Sequence, residues 1–94
     1  GKVSDVCSPY PIDKKFEAFN FEVIILDDGH DFEKIAEAVK KAQAVVGKPA
    51  VIVANTVKGK GVSFMENQVG WHGVAPNDAQ YEAAMAELEK AGEA

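Results

Sequence analysis

Two short apolar runs constrain the fold of this chain more than any other feature of its sequence. Phe21–Leu26 and Ala50–Ala54 consist mainly of β-branched and other apolar residues. Such runs are typical of strands that are buried on both faces, as a parallel sheet requires. Strands this close in sequence need a crossover connection if they run parallel. The pair therefore predicts an α/β fold built on a βαβ unit.

The segment between the two runs has the pattern of that crossover helix. Asp31 is a good N-cap residue, and Gly47 and Pro49 are helix-ending residues, so we expect a helix from Phe32 to about Val46. Its apolar residues recur at helical spacing and form one predicted face: Phe32, Ile35, Ala36, Val39, Ala42 and Val46.

The flanking segments predict coil and two further helices. Gly1–Pro11 has two prolines and little periodicity, which indicates coil. Ile12–Asn20 has the pattern of a short helix that Asn20 ends. The last helix should run from Asp78 to about Lys90, with Asn77 and Gln80 at the spacing of a capping box. Its apolar face consists of Tyr81, Ala84, Met85 and Leu88.

Residues 56–73 form a long segment that is rich in glycine, cationic and aromatic side chains. Lys58 and Lys60 alternate with Gly59 and Gly61, and the segment ends in Gly-Trp-His-Gly around His72. Lysines are cationic donors for phosphate, glycines allow close backbone approach, and histidine is suited to acid–base work. Because ligands bind beyond the carboxyl ends of parallel strands, this segment is the candidate ligand-binding loop. It is not a P-loop, since its glycines and lysines have the wrong spacing.

Composition excludes several function classes. The net charge is −5, and the few lysines form no large basic face, so nucleic acid is not an expected partner. No apolar run approaches the length of a membrane span, and no membrane role is expected. Cys7 is the only cysteine, which favours a reducing cytoplasm and an unreactive thiol.

Two polar clusters have structural explanations that are simpler than chemistry. His30 lies in Asp-Asp-Gly-His-Asp, whose contiguous spacing favours a turn and helix cap over a metal site. Glu66 and Asn67 could position a ligand, but a polar turn is the preferred interpretation. A structural histidine that holds a loop carbonyl is also an open alternative for His72.

The blocks Thr-Val-Lys-Gly-Lys-Gly-Val-Ser-Phe-Met-Glu-Asn and Gly-Trp-His-Gly-Val-Ala-Pro-Asn resemble the transketolase family. The likeness extends outward to Phe-Glu-Val-Ile and Asp-Gly-His-Asp and covers nearly the whole chain. These blocks are similar to those of bacterial and archaeal transketolases, including transketolases that are split into two subunits. The resemblance implies that residues 1–94 are the second half of a thiamine-diphosphate-binding (PP-type) domain, the βαβ portion of its parallel sheet with flanking helices.

The resemblance also implies an activity and site residues. Transketolases transfer a two-carbon ketol unit between sugar phosphates with thiamine diphosphate and Mg²⁺. His72 matches the catalytic histidine that touches the cofactor diphosphate and the reacting oxygens of the substrate. Lys58 matches a lysine that lies near the cofactor in many members, and Lys60 would contribute mainly electrostatically.

Other parts of the family's site are not found in this sequence. The Gly-Asp-Gly motif and later Asn that bind Mg²⁺ are absent, so the metal ligands are expected upstream of this chain. The implied partners are the N-terminal half of the same domain and the pyrimidine-binding and C-terminal domains or subunit, in a homodimer or heterotetramer. The chain alone is expected to be inactive, because two strands are too few to stabilise a sheet.

Two other functions are compatible with the same residues. A 1-deoxyxylulose-5-phosphate synthase or a dehydrogenase E1 component shares a similar Lys-Gly loop, although the Phe-Met-Glu-Asn and Trp-His-Gly blocks favour transketolase. The chain could instead be a non-catalytic piece that only completes a partner.

Overall fold

A computed structural model describes residues 1–93, and the chain divides into two compact units. The first comprises residues 1–56, and the second begins at Val57. The first unit contains α1 (Val3–Val6), α2 (Ile12–Ala18), β1 (Glu22–Leu26), α3 (Phe32–Gln43) and β2 (Ala50–Ala54). The second contains a 3₁₀ turn (Val69–Trp71) and α4 (Asp78–Gly92).

The two strands form a parallel sheet, which confirms the α/β fold and the βαβ order. Glu22 lies opposite Ala50, and Leu26 lies opposite Ala54, so the strands end at the same level. Leu26 is buried at the end of β1. The prediction that both faces of the strands are buried is wrong within this chain, because Ile25 is 55% exposed. A sheet with two described strands leaves one edge of each strand open.

Helix α3 begins where predicted, but only part of its predicted apolar face is covered by the protein. Asp31 caps it by accepting hydrogen bonds from the backbone N–H groups of Glu33 and Lys34. Ala38 is buried, whereas Phe32 is 86% exposed and Val39 is also exposed. The predicted apolar face is therefore wrong in part. A two-stranded sheet is too narrow to cover the whole apolar face of the helix.

The bounds of α3 and of the N-terminal segment also differ from the predictions. Helix α3 ends at Gln43, and the chain turns at Gly47, where φ is +86°. The N-terminal segment is not entirely coil, because Val3–Val6 forms one helical turn. A single turn is too short to produce an apolar period. Helix α2 ends before Asn20, which adopts φ +66° as its predicted stopping role requires.

The second unit packs the loop residue Val62 and the helix residue Ala84 into its buried interior. Helix α4 extends two residues beyond the predicted end, to Gly92. The predicted capping box is confirmed: Asn77 Oδ1 accepts from the N–H of Gln80, and Gln80 Oε1 accepts from the N–H of Asn77. Within residues 1–93, no helix is both long enough and apolar enough to cross a membrane.

Candidate functional site

The Lys-Gly loop adopts a conformation that only glycine accommodates easily. Gly59 and Gly61 have φ of +73° and +101°, in the left-handed region. A Cβ atom on Gly59 would lie 2.5 Å from the carbonyl oxygen of Met65. The loop therefore folds back tightly on the Phe-Met-Glu-Asn segment, and the glycine between the two lysines is sterically required.

Glu66 and Asn67 hold this loop closed, which confirms the polar-turn interpretation. Glu66 Oε1 accepts a hydrogen bond of 3.1 Å from the N–H of Gly61. The N–H of Asn67 donates to the carbonyl oxygen of Lys58 at 2.9 Å, with Asn67 at φ +57°. The two residues fix the backbone on both sides of Gly59.

Ser63 anchors the same loop to helix α4. Its hydroxyl donates to Glu87 Oε1 at 2.6 Å, and its N–H donates to Glu87 Oε2 at 2.7 Å. The hydrogen bond from the hydroxyl, followed by that from the backbone N–H, holds the pKa of Glu87 below its ordinary value of 4.5. No pattern in the sequence indicates this contact, because the two residues are 24 positions apart.

The structure brings together the two residues that the sequence singled out. Lys58 Nζ lies 3.4 Å from His72 Nδ1, although 14 residues separate them. Both side chains are exposed. A cationic donor and an imidazole thus face solvent side by side, which is an arrangement suited to an anionic ligand.

The aromatic neighbour of His72 positions its backbone rather than burying its ring. Trp71 packs on Phe64, with ring centroids 5.7 Å apart and an interplanar angle of 56°. Trp71 ends the 3₁₀ turn, and the N–H of His72 donates to the carbonyl oxygen of Val69 at 3.0 Å. The ring of His72 projects from an anchored turn and is accessible to a ligand.

The two lysines of the loop lie outside the ion pairs of the described chain. Within residues 1–93, the ion pairs are Lys14–Glu17, Lys34–Asp27 and Lys48–Glu22. Neither Lys58 nor Lys60 belongs to one of them. In a chain of net charge −5, these two lysines are local positive charges that remain available to an anion.

A second set of polar residues lies at the carboxyl ends of the strands in the first unit. The N–H of Asn55 donates to the carbonyl oxygen of Leu26, and the N–H of Gly29 donates to that of Asn55. A groove of about 470 Å³ is lined there by Tyr10, Ile12, Asp13, Ile25, Val53, Ala54, Asn55 and Thr56. Of these lining residues, only Thr56 belongs to the segment that the sequence predicted to bind a ligand. The position of Asn55 and Thr56 directly after a parallel strand was the available signal.

The acidic cluster around His30 forms the predicted turn and helix cap. The N–H of His30 donates to Asp28 Oδ1 at 3.0 Å, and Asp31 caps α3. In the part of the chain that the structure describes, no group of three His, Cys, Asp or Glu side chains is arranged to hold a metal ion.

Comparison with known proteins identifies the family. The family model described as "Transketolase, thiamine diphosphate binding domain" matches residues 1–91. The chain belongs to the transketolase family. The family resemblance carried by the Lys-Gly and Trp-His-Gly blocks is thereby confirmed.

The relatives include subunits of split transketolases and single-chain transketolases. A 6-deoxy-6-sulfo-D-fructose transketolase subunit of Clostridium sp. (strain MSTE9) is 42% identical over 82 residues, which are 87% of this chain and 30% of that protein. An apulose-4-phosphate transketolase subunit of Actinobacillus succinogenes is 39% identical over 88 residues, which are 94% of this chain and 31% of that protein. The transketolase of Nostoc sp. is 37% identical over 73 residues, 77% of this chain and 11% of that protein. The chain thus spans less than a third of the length of these transketolases.

Thiamine diphosphate and Mg²⁺, the cofactor and metal of transketolases, require different groups of a binding site. The donor set of Lys58 and His72 suits the diphosphate of thiamine diphosphate, because both groups are exposed and Lys58 has no carboxylate partner within residues 1–93. Mg²⁺ takes carboxylate, carbonyl and water oxygens, and residues 1–93 contain no cluster of three His, Cys, Asp or Glu side chains that could form the carboxylate part of such a site.

Proposed function

We propose that this chain supplies one side of the thiamine diphosphate and substrate site of a transketolase, which transfers a two-carbon ketol unit between sugar phosphates. The observation that carries the proposal is the distance of 3.4 Å between Lys58 Nζ and His72 Nδ1 on a loop clipped by Glu66 and Asn67. Binding of an anion would explain why the lysine ammonium and the imidazole lie side by side and exposed to solvent.

The chain's own residues would bind and orient the reacting molecules. Bound thiamine diphosphate supplies the carbon–carbon bond chemistry. Lys58 would compensate negative charge on the diphosphate, and Lys60 would add to the local positive potential. His72 would donate a hydrogen bond to the diphosphate and to the reacting oxygens of the sugar, and would move a proton at the donor hydroxyl and acceptor carbonyl.

The rest of the site would come from other parts of the transketolase. We infer that residues 1–94 are the second half of its thiamine-diphosphate-binding domain and that the Mg²⁺ ligands lie outside this chain. Support comes from the relatives, of which this chain covers less than a third and several of which are named as subunits. The expected partners are the first half of the domain and the pyrimidine-binding and C-terminal domains or subunit, in a homodimer or heterotetramer. The chain alone would be inactive.

The proposal is tested by replacing His72 in the assembled transketolase. His72→Ala should lower kcat/KM for ketol transfer by about 10²- to 10³-fold, the effect typical of losing one acid–base or charge-stabilising group. The free energy of unfolding should hardly change, because the His72 ring is exposed. Val74→Ala, two positions away and also exposed, is the matched control. Turnover by His72→Ala at the unaltered rate would refute the role of this residue.

A further inference from the structure

We propose that Lys58 is a positioning residue for His72: its ammonium group donates to Nδ1 and thereby holds the neutral ring in the form that carries its proton on Nε2. The inference deepens the proposed function and rests on it for its catalytic meaning. The contact itself, Lys58 Nζ to His72 Nδ1 at 3.4 Å, is a property of the loop and does not depend on a bound cofactor.

The chemistry of the two groups assigns the direction of this hydrogen bond. An ammonium group has three donors and no acceptor, whereas a neutral imidazole has one donor nitrogen and one acceptor nitrogen. If Lys58 donates, Nδ1 must present its lone pair, and the ring proton must be on Nε2. The hydrogen bond at one ring nitrogen thus sets the role of the other.

The backbone that carries each of the two side chains is anchored. The N–H of Asn67 binds the carbonyl oxygen of Lys58 at 2.9 Å, and this fixes the backbone from which the lysine extends. His72 follows the 3₁₀ turn whose Trp71 packs on Phe64. Without such anchoring, an exposed lysine side chain would sample many conformations and would contact His72 only part of the time.

The contact with Lys58 determines which function His72 performs first when a ligand binds. With Nδ1 engaged, neutral His72 presents Nε2–H, so it acts as a hydrogen-bond donor to an anionic oxygen. A proton taken up by the ring enters at Nδ1 and displaces Lys58 from it. Transfer of a proton from Nε2 then starts from the doubly protonated ring, which has lost its contact with Lys58. Lys58 therefore favours the donor role of His72 over its role as a base.

The test measures the ring nitrogens of His72 directly by NMR. The protein is labelled with ¹⁵N-histidine in its assembled form without cofactor, and the His72 signals are those that disappear in His72→Gln. Because the Nε2–H form already prevails in free histidine, the decisive readout is the change at Nδ1. In Lys58→Met, the Nδ1 resonance should shift to that of an unbonded ring nitrogen, and the Nδ1–H form should increase roughly three- to tenfold.

Two further variants separate the hydrogen bond from charge and from folding. Lys60→Met removes the same charge from the same loop. It should leave the His72 ring signals unchanged, because within residues 1–93 the ring is hydrogen-bonded to Lys58 and not to the side chain of Lys60. Lys58→Arg keeps a cationic donor and should restore the Nε2–H form. If Lys58→Met disturbs the backbone spectrum, the wild-type protein and Lys58→Arg still report the tautomer.

The inference is overturned if wild-type His72 carries its proton mainly on Nδ1, or if Lys58→Met leaves both ring nitrogens unchanged. It is equally overturned if Lys60→Met has the same effect as Lys58→Met. None of these outcomes bears on whether the protein binds thiamine diphosphate, which is measured separately. Failure of the positioning role and failure of the proposed function are therefore distinguishable.

Discussion

Gly59 determines, at the scale of single residues, whether Lys58 can be presented to a ligand. Its φ of +73° places it in the left-handed region, and a Cβ would lie against the backbone carbonyl of Met65 rather than against a movable side chain. The neighbouring Gly61 differs, since a Cβ there would approach only the end of the Leu88 side chain, at 3.2 Å. The steric clash of a Cβ at Gly61 can therefore be relieved more easily than that at Gly59, although the φ of +101° at Gly61 strains any other residue there.

Gly59→Ala should open the loop, because the strain and the backbone clash together destabilise it by about 2 kcal/mol. Amide exchange at Gly61 and Asn67, whose N–H groups close the loop, should become about thirtyfold faster. Gly70→Ala is the matched control, because a Cβ at Gly70 meets nothing within 4 Å. Equal protection of the two amides in Gly59→Ala and in the wild type would show that the glycine is dispensable.

The Ser63–Glu87 contact gives the loop a pH dependence with a defined sign. Because hydrogen bonding lowers the pKa of Glu87 in the folded protein below 4.5, its stabilising contribution is complete above that value. The contribution is lost as the pH falls through the lower folded pKa. NMR titration of the Glu87 carboxyl should give a higher pKa in Ser63→Ala than in the wild type. Ser63→Thr keeps the hydroxyl and should titrate like the wild type; an unchanged pKa in Ser63→Ala would contradict this assignment.

The roles of Lys58 and His72 in a ligand site stay predictions, but the structure shows how the two residues are placed. Lys58 and His72 were singled out by residue type and family resemblance, and the structure places them 3.4 Å apart. Their contact was not predictable, because it depends on how the loop folds between positions 58 and 72. The same holds for Glu87, which looks like an ordinary helix-surface residue until the structure places Ser63 against it.

At the scale of elements, the first residue of helix α3 was predictable from the sequence, but the face that the helix buries was not. The N-cap is a local contact between Asp31 and the N–H groups of Glu33 and Lys34, so adjacent sequence specifies it. The buried face depends on the sheet. Ala38 is buried and Phe32 is exposed, although phenylalanine is the more apolar residue. Close approach to the strands favours the small side chain.

Asp31→Ala should destabilise the first unit by about 1 kcal/mol, since two N–H groups of the first helical turn lose their acceptor. The change would be measured by denaturant unfolding and by amide exchange at Glu33 and Lys34. Asp31→Asn is the control, because asparagine caps helices about as well as aspartate. Equal stability of Asp31→Ala and the wild type would mean that the cap seen in the structure contributes nothing.

At the scale of the whole molecule, the chain belongs to the transketolase family and matches only part of the length of its relatives. It matches the thiamine diphosphate binding domain over residues 1–91, yet it spans only 30–31% of two related subunits. Its sheet has two described strands, and apolar residues such as Ile25 and Phe32 are largely exposed. The α/β class followed from apolar patterning alone, whereas the division into two compact units had no signal in the sequence.

The central claim is that Lys58 and His72 contact the diphosphate of thiamine diphosphate, and calorimetric titration of the assembled transketolase tests it most directly. Titration with thiamine diphosphate and Mg²⁺ should give a Kd at least about tenfold weaker in both Lys58→Met and His72→Ala, since each loses a hydrogen bond to a charged group. Lys90→Met, in the last turn of α4, is the charge-matched control and should bind like the wild type. Wild-type affinity in both variants would contradict the account.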